Sequence, residues 1–272
     1  MCGEQLERGI KILDRTPPLM THKIALLFAG SGNGAPSGGE KEGEMISAIY
    51  GSPGYNTFAS ELGEIVPVRD LGFYSGGLDT EGFSDGEHAL IWMSNGGKRS
   101  KINCGAGESM IIFHVPTLMP SGGGVVEYNN RKRHVGNDTV HIIFSDEPFV
   151  MDGYEVGKVG GGGGAGGGVE KEMLKISGEF GLVSIVVVPI GGSDAVSVEC
   201  VCRSAGEERG LEHLERKVVI RKECAAEYVR QLSIRADIAC RCMKEDELGS
   251  ITWVERLRQI RRLRRLIAGS RK

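Results

Sequence analysis

The stretch Arg131 to Phe144, RKRHVGNDTVHIIF, sets three basic residues and a histidine ahead of Gly-Asn-Asp, and then an alternation of β-branched and large apolar residues. The last part reads as a buried strand (Thr139 to Asp146). Gly-Asn-Asp between two structured elements reads first as a turn, because Gly and Asn tolerate positive φ and Asp can bond its own backbone.

Further candidate strands share that character: His22 to Gly30, Glu64 to Leu71, His88 to Ser94, Ser109 to Thr117, Leu182 to Ile190 and Ala195 to Arg203. Helical segments interleave with them at Leu6 to Asp14, Glu44 to Tyr50 and Tyr55 to Leu62. Alternation of this kind predicts an α/β fold with a central, mostly buried β-sheet flanked by helices. Two longer helices close the chain and should pack on the sheet. One carries a stripe of Ala225, Tyr228, Val229, Leu232, Ala236, Ala239 and Met243, the other of Trp253, Leu257, Ile260, Leu263 and Ile267. The expected division is an α/β domain over 1–203, with glycine-rich loops at 30–44 and 157–168, and a helical extension over 204–272 whose final helix, 251–268, is basic.

The 272 residues are 40% hydrophobic and 25% charged, enough for a full core. The net charge of −3 hides an asymmetry: Ile251 to Lys272 holds eight basic residues and one acidic, and taking that +7 away leaves −10 for the rest. Seven cysteines, an odd number, and an opening Met-Cys-Gly-Glu with no apolar run predict a cytoplasmic protein without a disulfide framework. The longest apolar run, Leu182 to Ile190, has nine residues, far below the ~20 that cross a bilayer.

Cys200-Val-Cys202 and Cys240-Arg-Cys242 lack the spacing of structural zinc sites. The first pair is expected to pack on one strand face with the neighbouring valines on the other, and on a helix the second pair would diverge by about 200°. No metal is expected. The Gly30 to Glu44 loop sits between strand and helix, where a phosphate loop would sit, but GxxxxGK[ST] is absent, so the chain is not expected to hold a nucleotide itself.

RKRHVGNDTVHIIF, with IIFHVPTLMP upstream (Ile111 to Pro120), resembles the Rap/Ran-GAP domain family of GTPase-activating proteins. The resemblance runs in order through THKIALLFAG, YGSPGYNTFASELG (Tyr50 to Gly63), YSGGLDTEG (Tyr74 to Gly82) and LVSIVVVPI. The closing segments, ECAAEYVRQLSIRADIA and ITWVERLRQIRRLRRLI, are similar to the tuberin branch, whose GTPase is Rheb. The resemblance implies an activator that is not a hydrolase in its own right: an Asn carboxamide, the asparagine thumb, enters the nucleotide site of a small Ras-like GTPase, which itself holds GTP and Mg.

By position that residue is Asn137. Gly136 and Asp138 frame it, Arg131, Lys132, Arg133 and His134 match the family's basic run that supports the thumb or touches the GTPase, and Asp79 is a partner contact by position and a turn residue by local sequence. Asp138 is expected to cap or brace the backbone around Asn137 and His114 to be a satisfied core histidine; for the basic triplet family-like support is favoured over an arginine finger, and the plain structural reading is a solvated helix face that steers an acidic partner. Rheb is the favoured partner, with Rap or Ral the alternatives, and a non-catalytic GTPase- or membrane-binding module with the same fold is the competing class. The basic tail, Arg256 to Arg265, reads first as a docked last helix, second as a surface for an anionic membrane or a calmodulin-like partner; no nucleic-acid partner is expected.

Overall fold

The computed structural model describes residues 6–10, 20–30, 41–71, 74–94, 109–121, 124–147, 149–151, 154–156, 181–202, 211–243 and 252–269. Most of the Gly30 to Glu44 loop, the whole Gly157 to Gly168 stretch, and the end of the expected Leu6 to Asp14 helix lie outside them.

The β-branched runs form one eight-stranded sheet in the order β10-β9-β8-β5-β1-β4-β3-β2. Its strands are β1 (Met20–Phe28), β2 (Glu64–Pro67), β3 (His88–Met93), β4 (Ser109–His114), β5 (Val140–Phe144), β8 (Val183–Pro189), β9 (Ala195–Cys202) and β10 (Arg216–Arg221). The four central strands β8, β5, β1 and β4 are parallel, and antiparallel pairs close both edges. A separate hairpin joins β6 (Phe149–Met151) and β7 (Tyr154–Val156).

Central parallel strands are buried on both faces, which explains their near-continuous apolar sequence. Ile24, Leu26, Phe113, Ile142, Ile185 and Val187 meet α3 (Pro53–Leu62) and α5 (Lys222–Met243) on one side. Ala25, Leu27, Ile143, Val186 and Val188 meet α2 (Lys41–Ser47) and α4 (Val125–Gly136) on the other. The chain opens with α1, described over 6–10, and closes with α6 (Thr252–Gly269).

Local chemistry sets the ends of these elements. Ser52 caps α3, its Oγ accepting from Tyr55 N–H at 3.1 Å, and Pro53 at the first helical position loses no hydrogen bond there. Arg230 of α5 donates to the Glu61 and Leu62 carbonyls at the other end of α3 and stacks 5.6 Å from the Trp92 ring.

Several expectations need correction. Val196 and Val198 share the buried face of β9 with Cys200 and Cys202, because all four differ by even steps; of the neighbouring valines only Val201 lies on the opposite face. Strand β10 was not anticipated: in RKVVIR only Val218 and Ile220 pack partly against the core, and the strand pairs with β9 and remains largely exposed at the sheet's edge. On α6, Leu263 is buried against Gly9 of α1, while Ile260 and Ile267 remain 42% and 44% exposed, so the stripe is docked only in part.

The plain structural reading of a solvated basic face on α4 fails at Arg131, which is only 4% exposed. Its guanidinium donates to four backbone carbonyls: Pro120 at 3.1 Å, Met119 at 3.0 Å, Ile46 at 3.1 Å and Ala48 at 3.2 Å. It thereby ties α4 to the end of α2 and to the loop after β4. The fork geometry is essential, since one ammonium cannot reach carbonyls on both sides. Arg131→Met should cost on the order of 3–5 kcal/mol of stability, and Arg131→Lys should be clearly destabilising as well, in urea unfolding of the purified chain.

Candidate functional site

Helix α4 ends at the residue singled out by sequence. Asn137 is its C-cap, with φ −93° and ψ −3°, and its N–H reaches the His134 carbonyl at 3.2 Å. Neither Gly136 nor Asn137 adopts positive φ, so the Gly-Asn-Asp segment is a helix end and not a left-handed turn. Three residues later β5 begins, and just before it the Thr139 carbonyl accepts from the Leu182 and Val183 N–H groups.

The side chains of this short connection point in different directions. Asn137 is exposed, and its carboxamide bonds to no described residue. Asp138 is 1% exposed and accepts from His114 Nδ1 of β4 at 2.8 Å. Thr139 donates to Asp237 of α5 at 2.8 Å, and Asp237 also binds His22 Nδ1 and Arg241 at 2.7 Å each. Asp138 therefore anchors the turn to the core instead of bracing the Asn137 backbone, and His114 is buried with one nitrogen satisfied by Asp138.

A second aspartate–histidine pair lies one turn earlier. His134 is buried, not exposed on the helix, and its Nε2 sits 2.9 Å from Asp85 Oδ1. An ionised carboxylate only accepts, so Nε2 carries the proton. Arg133, 3.2 Å from that same nitrogen, finds no acceptor there and donates to Asn130 Oδ1 at 2.8 Å. The His134 and His114 rings touch in a tilted arrangement, 4.8 Å between centroids and 50° between planes. Asp85, His134, His114 and Asp138 thus form one buried polar row beneath the last turn of α4.

Asp85 is held by a tightly wound loop, in which Gly76, Gly77 and Gly86 take positive φ and so does Phe83, at 55°. Asp79 organises that loop by accepting from the N–H groups of Glu81, Gly82 and Ser84 and from the Ser84 hydroxyl. Those bonds, led by the Gly82 N–H, lower its pKa to about 2. Asp79 in turn donates its own N–H to Asp85 at 2.7 Å, and Asn130 of α4 bonds Asp85 and the Ser84 carbonyl. Sequence reading placed Asp79 in a turn and missed Asp85 and Asn130, which carry no motif of their own.

On the outer surface, Asn130, Arg133 and Asn137 follow one another at helical spacing. Arg133 is 59% exposed at its side chain; Lys132 pairs with Glu42 at 3.4 Å. A cavity of about 320 Å³, lined by Phe28, Gly51, Ser52, Ser145 and Asp146 among others, lies at the other end of β5, and Asn137 does not line it. Among the described residues no group of three or more His, Cys, Asp or Glu could hold a metal ion.

Comparison with known proteins gives this arrangement its context. The Rap/ran-GAP family matches residues 45–262. The chain belongs to the Rap/ran-GAP family. Its relatives include the tuberous sclerosis 2 protein homolog of Schizosaccharomyces pombe, 24% identical over 96% of this chain and 17% of that protein. They also include human GTPase-activating Rap/Ran-GAP domain-like protein 3, 28% identical over 52% of this chain and 12% of its own length, and human signal-induced proliferation-associated protein 1, 28% identical over 53% and 12%. The chain therefore spans under a fifth of the length of each of these relatives. A solved structure of the TSC2 GAP domain shares the fold, with a TM-score of 0.56 at 23% identity over 81% of this chain and 96% of that one.

Burial, followed by the nearby His114, lowers the pKa of His134 against the opposing pull of Asp85, and burial lowers that of His141, whose Nε2 donates to the Val135 carbonyl at 2.9 Å. A histidine with a depressed folded pKa binds a proton less readily folded than unfolded. Its contribution is complete above the unfolded value near 6.5 and is lost as pH falls below it. Burial works to raise the Asp85 pKa, but its hydrogen bonds outweigh burial and leave it lowered, so its contribution is lost only in the acid range below about pH 4. Thermal unfolding should therefore show Tm falling between about pH 7 and pH 5.5, with a smaller fall in His134→Gln.

Proposed function

We propose that this chain stimulates GTP hydrolysis on a small Ras-like GTPase by supplying the Asn137 carboxamide in trans, with a Rheb-type GTPase as the favoured partner. The observation that carries this reading is the pose of Asn137: exposed, unbonded through its side chain to any described residue, and fixed through its backbone between α4 and a buried aspartate. Family membership and the similarity to the fission yeast tuberous sclerosis 2 homolog across nearly the whole chain support it.

The chemistry needs little more. Hydrolysis on such GTPases is slow because the attacking water is poorly held and phosphoryl charge is poorly met; positioning and electrostatics supply nearly all the catalysis. A carboxamide offers one acceptor oxygen and two donor hydrogens, so it can take a bond from the water and donate toward phosphate oxygens. An ionised Asp in its place has no donor and repels the γ-phosphate. The GTP and Mg belong to the partner's site.

Arg133 is the exposed member of the basic run nearest Asn137, and it supplies attraction to an acidic partner surface. Arg131 acts through the frame, since its guanidinium is fully engaged with backbone carbonyls. Lys132 is half-engaged with Glu42.

Single-turnover hydrolysis by preloaded Rheb, Rap and Ral tests the reading. The chain should accelerate one of them, Rheb first. Asn137→Ala and Asn137→Asp should each lose on the order of 10²–10³-fold of the stimulation, with Tm within about 2 °C of the native chain because the side chain is exposed. Arg133→Lys should keep activity within about tenfold; a loss as deep as that of Asn137→Ala would instead assign an arginine finger. Binding without acceleration of any of the three would make the chain a binding module.

A further inference from the structure

We infer that α6 is a docking helix for an anionic lipid surface, independently of the action on a GTPase. Three observations on this helix converge. Leu263 is buried against α1, which fixes one flank of the helix as the side facing the protein. Ile260 and Ile267 are exposed, and at 100° per residue they fall within about 20° of each other, forming a single apolar ridge next to that flank. Arg261, Arg262, Arg264 and Arg265 are all exposed, and none forms an ion pair with a described residue. Arg264 lies about 40° from the ridge, and Arg261 and Arg265 continue around the outer side.

An apolar ridge bordered by arginines matches the boundary between headgroups and acyl chains. The guanidinium groups meet lipid phosphates and carboxylates while the isoleucines enter the first few ångströms of hydrocarbon. A nucleic acid would satisfy the arginines and leave the isoleucines in water. No helix among the described residues is long and apolar enough to cross a membrane, so the contact lies in the plane of the surface. Charge complementarity orients it: the last 22 residues carry +7 and the remainder −10, so an anionic surface attracts this helix and repels the rest of the chain.

The test is sedimentation of the full chain with phosphatidylcholine vesicles, with and without about 30 mol% phosphatidylserine, at roughly 50 and 500 mM salt. Binding should require phosphatidylserine and collapse at the higher salt. Each basic charge near such a surface is worth roughly fivefold, so Arg261→Gln with Arg265→Gln should weaken binding about 25-fold. Ile260→Ser with Ile267→Ser should weaken it several-fold at unchanged charge and leave Leu263 in place. Both double variants should stimulate GTP hydrolysis in vesicle-free solution as the native chain does, which separates this inference from the catalytic one. A chain that stays in solution beside phosphatidylserine vesicles, a Gln pair that binds like the native chain, or a Ser pair with undiminished binding would each overturn it.

Discussion

The hydrogen bond from His114 to Asp138 governs the geometry of the site. A carboxylate at 1% exposure cannot remain unpaired, so the Asp138 side chain must turn into the sheet to meet the imidazole on β4. Once it does, the neighbouring Asn137 at the helix end is directed outward. The same bond joins α4 to β4, which are consecutive in sequence, and fixes where β5 begins. Pairing of β5 with β1 starts at Ile24, four residues into β1, and on the far side of the sheet Thr139 and Arg241 fill the space below through Asp237 and the Thr21 carbonyl.

Around that bond the protein has placed several buried charges where apolar residues would pack more easily. Arg131 among four carbonyls, His134 against Asp85, and Asp237 among His22, Thr139 and Arg241 each tie an element of the site to a different part of the fold. Such groups add little to net stability, because desolvation offsets most of the attraction, yet each tolerates only one arrangement of its partners. Their combined effect is a helix end that presents one carboxamide at a defined angle. A rigid presentation suits the role proposed for that group, positioning a water molecule on a partner GTPase, because loose placement would forfeit most of the entropic advantage.

The architecture was legible because the strands are written in β-branched runs whose length and burial leave few alternatives; Met20–Phe28 and Val183–Pro189 fell within two residues of their expected positions. Helix α4 was harder to read. Its buried residues include Arg131 and His134, so polarity concealed which face was inside. Strand β10 was missed for a related reason: at the edge of a sheet, RKVVIR need bury only part of one face. Asn137 was singled out through resemblance alone. Nothing in its local chemistry distinguishes it from a turn asparagine, and its distinction lies in the long-range pairing of Asp138 with a histidine 24 residues earlier. Asp85 and Asn130 join the site through a loop whose folding is set by backbone N–H groups on Asp79, a pattern with no sequence period.

The central claim is that the Asn137 carboxamide acts on the transition state and not merely on docking. Its most direct test is complex formation between the chain and the responsive GTPase loaded with GDP, with and without aluminium fluoride as a mimic of the transferring phosphoryl group, followed by size-exclusion chromatography. Transition-state mimics reveal interactions that strengthen as the reaction proceeds. The account predicts a stable complex that depends on aluminium fluoride for the native chain and its loss in folded Asn137→Ala. An Asn137→Ala complex as stable as the native one would show that the carboxamide does not contact the reacting centre, and would contradict the account.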